Sequence, residues 1–172
     1  ELHIQIPLMD VNAEEVDIEI RFGDGHYPGF EVITLIAEPC VPACSRNYFQ
    51  KIGGSSIFNP VQKPKDLKDL VLLRSPLEPW KPWFDAAGLD WKEPDVGPQF
   101  NDLGLLIEAV VADMGVGLVR PRMVRSLMGT GQIIKLIDIE STSPHNYYIV
   151  KNPNKNFPEI QSFVNWLTLQ QW

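Results

Sequence analysis

VDIEIRFGDGHYPGF, residues Val16–Phe30, is the stretch whose reading decides the fold. Its first half alternates apolar Val16, Ile18, Ile20 and Phe22 with polar Asp17, Glu19 and Arg21, the two-residue period of a strand with one face covered. Its second half cannot continue that strand. Gly23, Asp24-Gly25 and Pro28-Gly29 accept positive φ or fix a proline φ, so the chain turns just past Phe22. In open α/β sheets, loops and helix amino termini converge at the carboxyl ends of strands, and ligands bind there. Phe22, Gly23 and Asp24 are therefore a first set of candidate ligand contacts, set against the plainer alternative of a glycine-rich turn with a solvated aspartate.

Upstream, Leu2, Ile4 and Ile6 alternate with His3 and Gln5 as an opening strand, and Pro7–Glu15 reads as a connection. Downstream, Glu31–Ser45 reads as one long extended segment that Pro39 and Pro42 confine to an edge or a bend, as a crossing between lobes would be. Short elements follow: a helical turn at Asn47–Lys51, a helix at Lys63–Leu70 with Pro64 near its start, a buried strand at Val71–Leu73 and a helix at Trp80–Ala87. Gly97–Phe100 reads as extended. The run Asp102–Asp113 is apolar on nearly every side, which predicts a largely buried helix ended by Gly115. A strand at Val116–Val119, a helix at Pro121–Met128, an extended piece at Ile133–Ile137 and a strand at Tyr147–Val150 come next. Ser141–Asn146 reads as turn. The last helix, Phe157–Leu169, carries Asn156 and Glu159 as a capping pair. Strands alternating with helices give an α/β class.

With 172 residues the chain suffices for one large domain or two small lobes, and 44% hydrophobic with 22% charged residues is ordinary globular composition. A net charge of -7 argues against a nucleic-acid surface, which needs clustered Lys and Arg; the Lys63–Lys68 cluster reads as a solvated face. No apolar run approaches the ~20 residues of a membrane span. Cys40 and Cys44, the two cysteines, would stand ~13 Å apart along a strand, beyond disulfide reach. Unpaired thiols suit a reducing compartment, and the cytoplasm is the expectation. The chain opens at Glu1, inside a strand pattern, as an excised piece of something longer would.

Phosphate-loop, dinucleotide, nucleophile-elbow and zinc motifs are missing, and His3, His26 and His145 are scattered, so neither metal nor cofactor is expected. Two further candidate sites remain. Phe100-Asn101-Asp102 precedes the apolar helix, where free N–H groups favour an anion or carboxylate ligand unless Asn101 or Asp102 simply caps the helix. Arg120-Pro121-Arg122 follows the strand Val116–Val119, with plain solvation as the alternative. Trp80, Trp83 and Trp91 read better as core anchors than as a ligand box.

In order along the chain, VDIEIRFGDGHYPGF (Val16–Phe30), Cys44-Ser45, LKDLVLLRS (Leu67–Ser75), WKPWFDAAG (Trp80–Gly88), GPQFND (Gly97–Asp102), IEAVVADMGVGLVRP (Ile107–Pro121), YYIV (Tyr147–Val150) and FVNWL (Phe163–Leu167) form a specific series. It resembles the effector-binding domain of LysR-type transcriptional regulators, in the branch of the glycine-cleavage activator and the beta-lactamase regulators. The resemblance implies two α/β lobes like type 2 periplasmic binding proteins, with residues 1–43 and 147–172 in lobe I and 44–146 in lobe II. It implies that a small-molecule effector binds between them, where Asp24 and Asp102 would face one another. Family contacts fall on Phe22, Gly23 and Asp24, on Asn101, Asp102 and Leu103, and on Tyr147. Related regulators carry small hydroxyl residues where this chain has Asp102-Leu103-Gly104, and a carboxylate there suits a cationic or amine-bearing effector. The resemblance also implies a homodimer, or a tetramer when full length, and no membrane partner. Relative to the family, the first strand and helix of lobe I are missing, and DNA would be bound only through an absent helix-turn-helix domain. A transport solute-binding protein is the alternative. An enzyme would need a nucleophile or an acid/base pair that the sequence does not offer.

Overall fold

A computed structural model describes residues 17–170. In chain order the elements are β1 (Ile18–Gly23), β2 (Glu31–Ile36), β3 (Pro39–Ser45), α1 (Arg46–Lys51), a 3₁₀ helix (Pro64–Asp69), α2 (Trp80–Ala86), α3 (Leu103–Val111), β4 (Gly117–Val119), α4 (Arg125–Gly129), β5 (Ile133–Lys135), β6 (Ser141–Thr142), β7 (Asn146–Lys151) and α5 (Pro158–Leu169). They form two compact units: the described chain up to Ala37 together with the part from Pro144 onward, and Glu38–Ser143 between them. The opening strand expected over Leu2, Ile4 and Ile6 lies outside the described residues.

The first unit is a three-stranded antiparallel sheet in the order β1-β7-β2, so its central strand comes from the far end of the chain. Phe22 pairs with Tyr147 and Gly23 with Asn146 on one side, and Val32 with Val150 on the other. Helix α5 lays Ile160, Val164 and Leu167 on Ile149, flanked by Ile18, Ile33 and Leu35. Pro158 opens that helix, where its missing N–H is not needed. The expected Asn156/Glu159 capping pair is not formed: Phe157 holds the cap position and no side chain bonds there. The alternation of β1 also departs from expectation. Ile20 is half-exposed, whereas the ion pair Arg21–Glu19 is largely covered, because Tyr148 stands opposite Arg21 and Tyr27 packs edge-on against Tyr148.

The second unit is organised around β3, with β4 and β5 on either side and β6 paired to its start. Alternate residues of β3 enter opposite cores, as a period of two requires. Cys40 and Cys44 join Trp80, Trp83, Phe84 and Leu118, while Val41 and Ala43 join Leu106, Val110, Val119 and Ile133. Trp80 and Trp83 are fully buried and donate their indole N–H groups to Leu73 O at 2.8 Å and Ile139 O at 2.9 Å. They are core anchors.

Several expected elements change here. Glu31–Ser45 is two strands broken at Ala37–Glu38, and β3 is central although it holds Pro42. The geometry shows why the proline is tolerated. Pro42 O accepts Leu136 N at 3.0 Å, so the missing proline N–H falls on the same side, opposite Leu136 O. Asn59 Nδ2 donates to that carbonyl instead, at 2.8 Å, and β5 ends one residue earlier, at Lys135. Val71–Leu73 forms only an isolated parallel bridge, Leu72 with Val116, and Ser141–Thr142, expected as turn, pairs with Pro39 and Cys40. The helix expected at Pro121–Met128 begins at Arg125; residues 121–124 form turns, with Arg122 N donating to the Glu38 carboxylate at 2.5 Å.

Helix α3 is not buried all round: Leu106, Ala109 and Val110 are, but Leu105 is 61% exposed, and Met114 just beyond its end is 44% exposed. Its end is also not made by Gly115. Asp113 takes the left-handed conformation at φ 63°, with Asp113 N on Val110 O and Met114 N on Ala109 O, the two bonds of a Schellman cap. Gly115 serves another need, since a Cβ there would lie 2.4 Å from Val71 O.

Candidate functional site

The first set of candidate residues sits at one end of the three-stranded sheet. β1 and β7 bring Phe22 beside Tyr147, ring centroids 5.1 Å apart, and His145 lies 5.7 Å from Phe22 on the approach to β7. Asp24 closes the turn beyond, its Oδ1 accepting His26 N at 2.9 Å. The turn needs its glycines: a Cβ on Gly23 would meet Tyr27 Oη at 2.5 Å, and Gly25 holds φ 83° with the Tyr148 ring 2.8 Å from where its Cβ would stand. Burial pushes the Tyr27 hydroxyl pKa up, so it remains a neutral donor.

The second set lies in the other unit, at the start of α3. Asp102 is the cap residue, its Oδ1 accepting Leu105 N at 2.8 Å, and Asn101 beside it is exposed. Capping and ligand contact are compatible, because a carboxylate has further lone pairs to offer. Leu103 and Arg120 come together as walls of one small recess of about 10 Å³, room for about one water, with Glu78, Leu106, Ile107 and Met123.

Arg120 is not the solvated surface arginine that its sequence neighbours suggest. It is 2% exposed, with Nε 2.6 Å from Glu78 Oε1, and its Nη2 also pairs with Glu78 and donates to Ser143 Oγ at 2.8 Å. Glu78 Oε2 in turn accepts the Cys40 thiol at 2.9 Å. Burial, then the Glu78 carboxylate, pushes the Cys40 thiol pKa well up, and burial raises that of Cys44 to about 12 with the Asp113 charge adding. Neither thiol is a nucleophile at neutral pH.

Thus Phe22, Gly23 and Tyr147 adjoin one another, with Asp24 in the next turn; Asn101, Asp102 and Leu103 share the head of α3; and Leu103 meets Arg120 across the recess. Glu78, Met123 and Ser143 escaped notice in the sequence because each stands alone there. His145 had a usable signal, since it lies two residues before Tyr147 and therefore on the same face of an extended chain. Among the described residues no group of His, Cys, Asp and Glu side chains is placed to hold a metal ion, and no helix is long and apolar enough to cross a membrane.

A family model described as the LysR substrate binding domain matches residues 5–171. The HTH-type transcriptional activator AmpR of Rhodobacter capsulatus is 29% identical over 164 residues, covering 94% of this chain and 53% of that protein. The glycine cleavage system transcriptional activator of Escherichia coli K12 is 26% identical over 160 residues, covering 92% and 50%. The effector domain of the transcriptional regulator AmpR of Pseudomonas aeruginosa aligns with TM-score 0.73 and 25% identity over 91% of this chain and 72% of that one. The full-length virulence activator AphB of Vibrio cholerae shares the fold, with TM-score 0.71 and 18% identity over 98% and 56%. The chain spans about half the length of the curated relatives it matches.

Proposed function

Since the chain belongs to the LysR substrate-binding domain family, and so has the α/β fold of type 2 periplasmic binding proteins, we propose that it senses a small-molecule effector on behalf of a DNA-binding regulator. The match along nearly the whole chain carries this reading, and it favours a regulator over a transport protein. The residues assigned to the effector are Phe22, Gly23, Asp24 and Tyr147 in one unit and Asn101, Asp102 and Leu103 in the other, with Arg120 beneath Leu103. The effector binds without covalent chemistry, by fitting one arrangement of the protein better than another and so shifting its population. Homodimeric assembly, DNA contact through a segment outside the matched residues and a cytoplasmic location complete the proposal for the whole protein.

The Asp102 carboxylate selects a cationic or amine-bearing effector. A thermal-shift screen of small metabolites tests both levels, because a ligand at a hundred times its Kd stabilises the folded state by about 2.7 kcal/mol. Amines that raise the melting temperature should lose that effect in Asp102→Asn, a substitution that retains a good helix cap. Tight binding of a simple dicarboxylate that tolerates Asp102→Asn would overturn the effector class while leaving the sensor; a screen in which Tyr147→Ala and Asp102→Asn change the response to no ligand would overturn the site.

A further inference from the structure

The chain enters the second unit at Glu38 and leaves it at Ser143, and these two residues are tied to the same short stretch. Glu38 accepts the backbone N–H of Arg122, and Ser143 accepts from the side chain of Arg120. The strands carrying entry and exit pair with each other, Pro39 with Thr142 and Cys40 with Ser141. Glu78 completes the connection: one carboxylate oxygen holds Arg120, and the other holds the Cys40 thiol on the entering strand. Both charged partners also form walls of the recess at the head of α3.

We propose that Arg120 is a positioning residue, which passes whatever fills the recess to the paired entry and exit strands of this unit. A buried charge cannot leave its partner without a large penalty, so a group that displaces Arg120 must carry Glu78 or Ser143 with it, and Glu78 carries Cys40. Loose apolar packing would absorb such a displacement locally; a connected polar network hands it on. The proposal rests on the sensor reading only for its purpose, and its test needs no effector, so its failure leaves that reading standing.

Met123 offers the means, because it lines the recess and is 44% exposed. Met123→Cys is modified in the full chain with methyl, propyl and benzyl methanethiosulfonates, while Cys40 and Cys44 are shielded in β3. Hydrogen exchange is then followed at the backbone amides of Cys40 and Val41 and of residues 141–143. The larger adducts should change exchange at residues 141–143 several-fold. Ser143→Ala, which keeps the buried Glu78–Arg120 pair and so should fold, leaves the route through Glu78 and Cys40 open and should weaken that change; adding Cys40→Ala closes both routes and should abolish it, and Ser143→Thr, which keeps the hydroxyl, should leave it whole. Adducts that leave exchange unaltered overturn the proposal, as do adducts that act equally in the chain carrying both Ser143→Ala and Cys40→Ala.

Discussion

Arg120 and Glu78 are each 2% exposed, and each is the other's counter-charge. Neutralising one therefore strands the other in a poor solvent. Glu78→Gln or Arg120→Met should lower unfolding stability in urea by about 3–5 kcal/mol, far more than a surface ion pair such as Lys51–Asp113 would lose on truncation. Asp113 bears instead on pH. Its carboxyl pKa is held below the ordinary 3.8, chiefly by the Ser45 hydroxyl at 2.5 Å and then by Lys51. A carboxyl with a lower pKa folded than unfolded contributes stability above the unfolded value, and loses it as pH falls through 3.8 toward the folded value. Asp113→Asn, which also tolerates the left-handed backbone, should flatten that acid limb in a pH series of urea midpoints. At this scale the sequence was legible where neighbours in the chain decide the outcome: Asp102 as a cap, Gly25 in a turn. It was opaque for Arg120, whose partner lies 42 residues away.

Among elements, β3 shows what local rules miss. Proline should bar Pro39–Ser45 from a sheet interior, yet the ladder bond that Pro42 cannot make is replaced by a side chain from another loop. Asn59→Ala should leave Leu136 O without its donor and Val61 N without the Asn59 Oδ1 that it reaches at 2.9 Å. Each buried group left unpaired costs about 1–3 kcal/mol, so denaturant unfolding should show a loss at least in that range, and Asn59→Asp should recover only the Val61 contact. Helix α3 errs in the opposite sense. Counting apolar residues overstated its burial, because Leu105 faces away from the core that Leu106, Ala109 and Val110 fill, and Met114 lies past the end of the helix. The strand β6 was invisible, since two residues carry no periodicity and only β3 gives them a partner.

For the molecule as a whole, an ordered series of short motifs identified the family, while composition gave no more than an α/β class. Periodicity does not say which distant strand pairs with which, so β7 between β1 and β2 came only from the structure. Both thiols lie in the second unit, buried and with raised pKa values, so they report that unit's opening alone. A disulfide-exchange reagent near neutral pH should modify neither in native buffer, and should modify both together as denaturant exposes β3; early reaction of one thiol would show β3 opening piecemeal.

The order of strands in the first unit has a consequence for biosynthesis. β1 and β2 do not pair with each other, and the strand that joins them is translated only after the entire second unit has been synthesised. Until then β1 and β2 lack the strand that joins them, while the inserted unit is made between them. A stop codon ahead of Asn146 should yield a product in which limited proteolysis finds the second unit folded and the first not.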